Sequence, residues 1–259
     1  MQVEVHQEPQ RWAEEQFAGA KLTDIRRIAR VKKIAEAMAV HPGRSIPQLC
    51  RSPYAVKATY NLFKHEEATP ENMQAGHRAL VRDAMRQPGV YLLVEDTTEL
   101  SWSGKQAIAG LGPIGNSAVG LQGFFVHTVL SVRWPDPSQD TSKRQPVEVV
   151  GLGDQQYYVR TPCRQPRESS QERLRRDRES QVWPQASQHV GHAPDGVRWV
   201  RVADREADIY EYLVSCQELG HGFVIRAAKD RALSHPETGK RSGRLFTAAR
   251  SALPLGEFT

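Results

Sequence analysis

Two aspartates that follow apolar segments are the residues best placed for chemistry. Asp96 comes just after the apolar run Val90–Val94, and Asp204 follows the strand-like segment Val200–Ala203. Sites in α/β sheets form at the carboxyl ends of strands, so neighbouring strands would bring both carboxylates into one crevice. Two close carboxylates repel each other unless a cation lies between them. Hard oxygen ligands favour Mg²⁺ or Mn²⁺ over zinc, so the pair predicts a divalent-metal site.

Each aspartate taken alone also fits a structural role. Asp204 directly precedes a predicted helix that contains Ile209 and Tyr212, and aspartate is a preferred helix N-cap. Spacing alone favours this N-cap or turn interpretation over catalysis. Glu206 and Asp208 are equally well explained as acids of the first helical turn, where they complement the helix dipole.

The elements that must position these aspartates indicate an α/β fold preceded by helices. Strand-like segments at 90–94, 124–132, 147–152, 197–203 and 222–226, with a helix over 207–219, predict a mixed α/β sheet. Upstream, Asp24 is a candidate N-cap, and Thr69 followed by Pro70 is a strong helix start. We therefore predict a helical domain over residues 1–80 and an α/β domain over residues 81–259. His127, inside an apolar strand, is expected to be a hydrogen-bonded core residue.

Basic residues on the first long predicted helix suggest a contact surface for a polyanion. Arg26, Arg27, Arg30 and Lys33 lie away from its apolar face. A solvated helix face is the alternative. Seven arginines within residues 160–180 pose the same choice, between a segment with internal ion pairs and a surface that contacts the DNA backbone.

Composition restricts the class of protein. The 259 residues carry 35 Lys+Arg against 30 Asp+Glu, and this net charge of +5 is compatible with a nucleic-acid partner without requiring one. No run of 18 apolar residues is present, which argues against a membrane span, and the N-terminus has no secretory pattern. Three widely spaced cysteines argue against a zinc site or a disulfide framework. A cytoplasmic, nucleoid-associated protein is the simplest expectation.

Ordered sequence blocks carry a resemblance to a known family. The segments Glu95–Trp102 and Asp204–Leu213 resemble the first and second catalytic blocks of the IS4-family, Tn5-like bacterial transposases. Further blocks resemble the helical DNA-binding domain of that family, and they are Trp12, Phe17–Arg27, Gly43–Cys50 and Ala58–Phe63. The segment Phe223–Arg226 resembles a strand that follows the second catalytic block. The resemblance extends over nearly the whole chain.

The resemblance implies an RNase H-like core with a DDE triad that binds Mg²⁺ or Mn²⁺. By position, Asp96 would be the first metal-binding aspartate and Asp204 the second, and Arg226 and Lys229 would contact backbone phosphates of DNA. The implied partner is the double-stranded DNA of transposon ends. The family acts as a homodimer, although its dimerisation region has no counterpart in this chain.

One catalytic element of the family has no counterpart. The third acid lies in a Tyr-x2-Arg-x3-Glu-x6-Lys motif, and no glutamate after the second block has that setting. The resemblance therefore implies an incomplete, truncated catalytic unit with impaired activity. Three hypotheses remain: a transposase, a non-catalytic DNA-binding protein, and an inactive remnant.

Overall fold

The computed structural model describes residues 8–103, 108–115, 121–135, 146–160 and 178–253. The chain divides into two compact units. The first unit comprises Met1–Val94, Thr128–Tyr157 and Ala193–Trp199, and the second comprises Glu95–His127, Tyr158–His192 and Val200–Thr259. Within the described ranges, no helix combines the length and the apolar character that a membrane-spanning helix requires.

Within the described ranges six helices precede the first strand, and three of them begin at a residue whose side chain caps the helix. Asp24 accepts the backbone N–H of Arg26, and Thr69 accepts that of Asn72, so both expected N-caps are confirmed. Ser52 caps a further helix by accepting the N–H of Ala55. The helices are α1 (Pro9–Phe17), α2 (Ile25–Val40), α3 (Ile46–Leu49), α4 (Pro53–Phe63), α5 (Pro70–Met73) and α6 (Ala75–Ala84).

These helices enclose a small apolar core. Buried residues from α2, α4 and the α1–α2 connection form it, and they are Ala20, Leu22, Val31 and Leu62. Gly19, just after α1, approaches Gly76 of α6 so closely that a Cβ on Gly19 would lie 2.7 Å from the Cα of Gly76. The contact between these two segments therefore depends on two residues without side chains.

A mixed sheet of six strands follows, as the sequence predicts. The strands are β1 (Gly89–Trp102), β2 (Gly112–Pro113), β3 (Gln122–Trp134), β4 (Glu148–Tyr158), β5 (Val197–Ala203) and β6 (Gly222–Ile225). Their order is β2-β3-β1-β5-β6, with β4 also paired to β3. β2 and β3 are antiparallel, whereas β5 and β6 are parallel, with Ala203 opposite Ile225. β1 and β5, which carry or precede the two aspartates, are therefore neighbours.

Among the described residues of the second unit, two helices pack against each other. They are α7 (Val182–Val190) and α8 (Tyr210–Glu218), and α8 connects β5 to β6. Trp183 of α7 and Tyr212 and Cys216 of α8 are buried in one apolar cluster. The short strands β7 (Ala232–Ser234) and β8 (Arg241–Arg244) form a separate hairpin before α9 (Leu245–Ser251).

Candidate functional site

A basic groove lies between α2, α3 and α4. It has a volume of about 630 Å³, and its lining includes one carboxylate, Glu36, and four cations, Arg30, Lys33, Arg44 and Arg51. Within the part of the chain that the structure describes, none of these four side chains forms an ion pair. Unpaired cations around a concave surface attract a polyanion more strongly than the net charge alone suggests.

The four basic residues that the sequence singles out on α2 do not share one environment. Arg26, Arg30 and Lys33 are spaced i, i+4 and i+7, which places them on one helical face. Arg27 lies on a different face, where its guanidinium is 2.8 Å from Glu67 and its side chain is only 28% exposed. Arg27 therefore supports the fold of the helical unit through an ion pair.

Arg26 differs again, because its partner is local. Its side chain is 89% exposed and lies 3.0 Å from Asp24. Hydrogen bonds from the side chain and the backbone N–H of Arg26 lower the pKa of the Asp24 carboxyl. The same carboxylate caps α2, so Asp24 both starts the helix and orients one of its outward cations.

Helix α4 presents a second polar face to solvent. Tyr54, Lys57 and Asn61 follow the spacing i, i+3 and i+7, and all three are exposed, Tyr54 by 78%. Thr59 and Leu62, on the other side of the helix, are buried. Helix α4 thus has one packed face and one free face rich in hydrogen-bonding groups.

Asp96 lies within a strand and not at the end of one. The apolar pattern predicts that the first strand ends near Asp96, but β1 continues to Trp102. That expectation was wrong because the polar residues after Asp96 still pair in the sheet, although they add no apolar run. The side chain of Asp96 is exposed between buried Glu95 and half-buried Thr97.

Asp204 directly follows β5, as expected, and acts as a cap. Its Oδ1 accepts the N–H of Glu206 at 2.7 Å and so starts a single 3₁₀ turn, Arg205–Ala207. Helix α8 begins only at Tyr210, three residues later than the sequence suggests. Asp204 is exposed, and among the described residues its second carboxylate oxygen accepts no hydrogen bond.

Strand alternation relates the two aspartates to each other. Glu95 of β1 and Arg201 of β5 are in contact, with Oε1 and Nη1 2.7 Å apart, so they share one face of the sheet. Successive side chains alternate between faces. Asp96, one residue after Glu95, therefore lies on the opposite face, where its side chain is exposed. The same alternation, continued one residue beyond the end of β5 at Ala203, would give Asp204 that face too.

Beneath that face lies a buried polar network that the sequence analysis missed. Glu95 also accepts the hydroxyl of Tyr212 at 2.5 Å, and Nε2 of His127 lies 3.3 Å from its second oxygen. His127 is fully buried, which confirms it as a hydrogen-bonded core histidine. Burial of Glu95 raises its pKa, but the charge of Arg201 and the hydrogen bonds outweigh this effect and lower the pKa overall.

Asp208 organises the loop that follows β6. Its Oδ2 accepts the N–H groups of Ala228 and Lys229 at 2.8 and 3.0 Å, and its Oδ1 binds Arg231. Burial raises the pKa of Asp208, but these partners together lower it below the ordinary value. The interpretation of Asp208 as a first-turn acid was wrong, because α8 begins only at Tyr210 and the side chain of Asp208 instead binds the loop after β6.

The two cations that the family resemblance selects lie on this loop. Arg226 and Lys229 are both exposed, and the N–H of Arg226 bonds the carbonyl of Ala203 at 3.3 Å. Because Ala203 immediately precedes Asp204, the loop begins at the same edge of the sheet as that aspartate.

The other candidate groups give less support to a functional site. Of the arginine-rich segment 160–180, only Arg160 and Arg178 lie among the described residues, and each pairs with a glutamate. Across the described ranges, no three His, Cys, Asp or Glu side chains are grouped as a metal site would require. Asp96 and Asp204 thus supply at most two carboxylates within this part of the chain.

Some candidate functional residues could not be selected from the sequence. They come together only because segments far apart in the chain pack against each other. Arg44 and Arg51 become groove residues only when α3 folds against α2, and Glu95 meets Arg201 only through the pairing of β1 with β5. The one available signal was a charged residue directly between two apolar strand residues, which is the case for Arg201 between Val200 and Val202.

Comparison with known protein families bears on the helical unit. Residues 9–68 match the family model described as Transposase DNA-binding. The matched residues include α1 to α4 and all the residues that line the basic groove. The match supports a transposase-type, DNA-binding role for this chain.

Proposed function

We propose that this chain is a transposase of the IS4, Tn5-like type that binds the double-stranded DNA of transposon ends through its N-terminal helices. Its mixed sheet is, in this proposal, an RNase H-like core that cleaves and joins phosphodiester bonds. The observation that carries the proposal is the coincidence of the transposase DNA-binding match at residues 9–68 with a groove lined by four cations that form no ion pair among the described residues.

The groove suits the sugar–phosphate backbone of DNA. Arg30 and Lys33 line it from α2, and Arg51 lies beside the start of α4. Each cation that neutralises a phosphate releases condensed counterions, so binding weakens as salt rises, with a slope near −0.9 per contact. Backbone contacts of this kind orient a protein on the duplex without selecting a sequence.

The free face of α4 suits the edges of bases. An α-helix fits the major groove of B-DNA, where asparagine can bond adenine and lysine can bond guanine. Lys57 and Asn61 are exposed on that face, and Tyr54 lies at its start beside the basic groove. We assign sequence recognition to α4 and backbone contact to α2.

The catalytic part of the proposal rests on Asp96 and Asp204. Both are exposed and, by strand alternation, lie on one face of the sheet, with Arg226 and Lys229 on the loop that starts beside Asp204. Two carboxylates offer the hard oxygen ligands that Mg²⁺ or Mn²⁺ prefers, so the residues fit part of such a site. Bound divalent ions would activate the attacking oxygen and stabilise the leaving oxygen of a phosphodiester.

Direct measurement of DNA binding tests the proposal. The probe is a fluorescein-labelled, mixed-sequence DNA duplex, and the readout is fluorescence anisotropy over a range of salt concentrations. Arg30→Ala and Lys33→Ala should each weaken binding about eightfold at 0.1 M salt and reduce the salt slope by about 1.

A matched control separates these contacts from a general loss of positive charge. Arg86→Ala removes an exposed cation that does not line the groove, and its side chain is 69% exposed. We expect little change for this variant. Equal losses for all three variants, or no DNA binding by the unaltered chain, would refute the assignment of the groove.

A second candidate function is DNA binding without catalysis. The observation in its favour is that no third acidic side chain joins the two aspartates among the residues that the structure describes. DNA affinity does not distinguish the two candidates, whereas metal-dependent nicking does.

A further inference from the structure

We propose that Glu95, with Arg201 and His127, is a positioning residue that fixes the backbone of Asp96 and its register against Asp204. The proposal rests on the proposed function, because it treats the two aspartates as the functional carboxylates. None of the three residues is itself a ligand, since all of them are buried on the face of the sheet opposite the aspartates.

The first support is that Asp96 is held on both sides. Its two chain neighbours, Glu95 and Thr97, both interact with the ring of His127 on the adjacent strand β3. The ring nitrogens lie 3.3 Å from Oε2 of Glu95 and 2.9 Å from Oγ1 of Thr97. Asp96 therefore sits at the centre of a three-residue segment whose outer members are tied to one rigid group.

The second support is the bond to the other neighbouring strand. Glu95 reaches Arg201 of β5, and Arg201 in turn donates from Nε to Nδ1 of His221 at 3.2 Å. Nε2 of His221 lies 2.9 Å from the carbonyl of Gly191. Through this chain of contacts, β1 is tied to β3 on one side and to β5 on the other.

The cost of breaking these contacts makes the register specific. A slip of one residue between β1 and β5 would move Glu95 to the exposed face and Asp96 into the interior. Arg201, which is fully buried, would then face either Val94, which has no charge, or Asp96, whose side chain is one methylene shorter than that of Glu95. The same ion pair that stabilises one register therefore keeps Asp96 and Asp204 together on the exposed face.

Spin labelling tests this inference without any metal. Nitroxide labels are attached at Asp96→Cys and Asp204→Cys in a Cys50→Ser, Cys163→Ser background, and Cys216 stays because it is fully buried. Electron paramagnetic resonance then gives the distribution of the distance between the labels. We expect one narrow distribution when Glu95 is present, and roughly double the width for Glu95→Gln, which leaves Arg201 without its charged partner.

Two further variants keep the test decisive if Glu95→Gln folds poorly. Glu95→Leu combined with Arg201→Met replaces the buried pair by apolar side chains, a change that often preserves stability. This double variant should remain folded and still broaden the distribution. Asp154→Asn is the matched control, because it breaks another buried ion pair, Arg78–Asp154 at 2.9 Å, in the first unit. It should lower stability and leave the distribution narrow.

Titration with Mn²⁺ alone tests whether the positioning role of Glu95 affects the proposed metal site. In the unlabelled chain, Glu95→Gln and the double variant should lower Mn²⁺ affinity by roughly tenfold, the usual effect of losing a group that orients a ligand. Asp154→Asn should not. An unaltered chain that binds no Mn²⁺ through Asp96 and Asp204 would refute the proposed metal site. The distances between the spin labels would still show whether Glu95 positions Asp96. Unchanged distances in both Glu95 variants would overturn the inference.

Discussion

At the scale of single residues, His221 gives the fold a defined dependence on pH. Burial, followed by the nearby charge of Arg201, lowers the pKa of His221 to about 4. In the unfolded chain the pKa is near 6.5, so the neutral ring contributes stability above that value, and this contribution is lost as pH falls towards 4. The free energy of unfolding should drop by about 2 kcal/mol between pH 8 and pH 5 from this residue alone.

Urea denaturation at several pH values measures that change. His221→Gln removes the titrating ring, so the variant should be less stable at pH 8 but should show a smaller loss on acidification. His77 has a pKa that burial also lowers, and its contribution remains in both proteins. An identical loss in the variant and the unaltered chain would show that His221 is not the responsible group.

At the scale of elements, local signals predicted the helix caps and the β5–α8–β6 order correctly, whereas they did not predict how far β1 extends. The Asp24 and Thr69 caps and the β5–α8–β6 unit follow from residue types within a few positions, which is where capping and periodicity act. The length of β1 beyond Asp96 depends on strands that pair from elsewhere in the chain. A polar segment in a sheet has no apolar pattern of its own to reveal it.

The same distinction applies to the candidate site. The sequence selects Asp96 and Asp204 because each lies beside an apolar segment, and it selects Arg30 and Lys33 because they repeat along one helix. The bond between Glu95 and Arg201 joins residues 106 positions apart, so no local pattern contains it. The sequence could therefore indicate these candidate residues, whereas it could not indicate the buried groups that contact the neighbours of Asp96.

The contact between Gly19 and Gly76 makes the packing of the helical unit testable. A Cβ on Gly76 would lie 2.8 Å from the Cα of Gly19, and backbone atoms cannot move aside as a flexible side chain can. Gly76→Ala should lower the free energy of unfolding by about 1–3 kcal/mol, because overpacking forces the segments apart. Thermal or urea denaturation measures this loss. A change below about 0.5 kcal/mol, which is ordinary for a surface substitution, would contradict the close approach.

At the scale of the whole molecule, the cations and the candidate carboxylates are divided between different parts of the chain. The groove cations belong to the segment with the transposase DNA-binding match, whereas Asp96 and Asp204 lie in the second unit. The net charge of +5 does not reveal this division, because Arg27 and Arg78 are paired within the fold, while Arg30 and Lys33 form no ion pair with the residues that the structure describes. Binding and cleavage should therefore be separable by substitution.

Nicking of supercoiled plasmid in Mn²⁺ tests that separation. Asp96→Asn and Asp204→Asn should abolish the conversion to open circles, because each removes a carboxylate charge from the proposed metal site, yet DNA affinity should be unchanged within about twofold. Arg30→Ala should show the reverse pattern, with weaker binding but a normal nicking rate at saturating DNA. Asp83→Asn is the control, because Asp83 is an exposed aspartate of α6 outside the site. DNA binding by the unaltered chain without metal-dependent nicking would favour the non-catalytic alternative. Nicking that persists in both aspartate variants would exclude Asp96 and Asp204 as its catalytic residues.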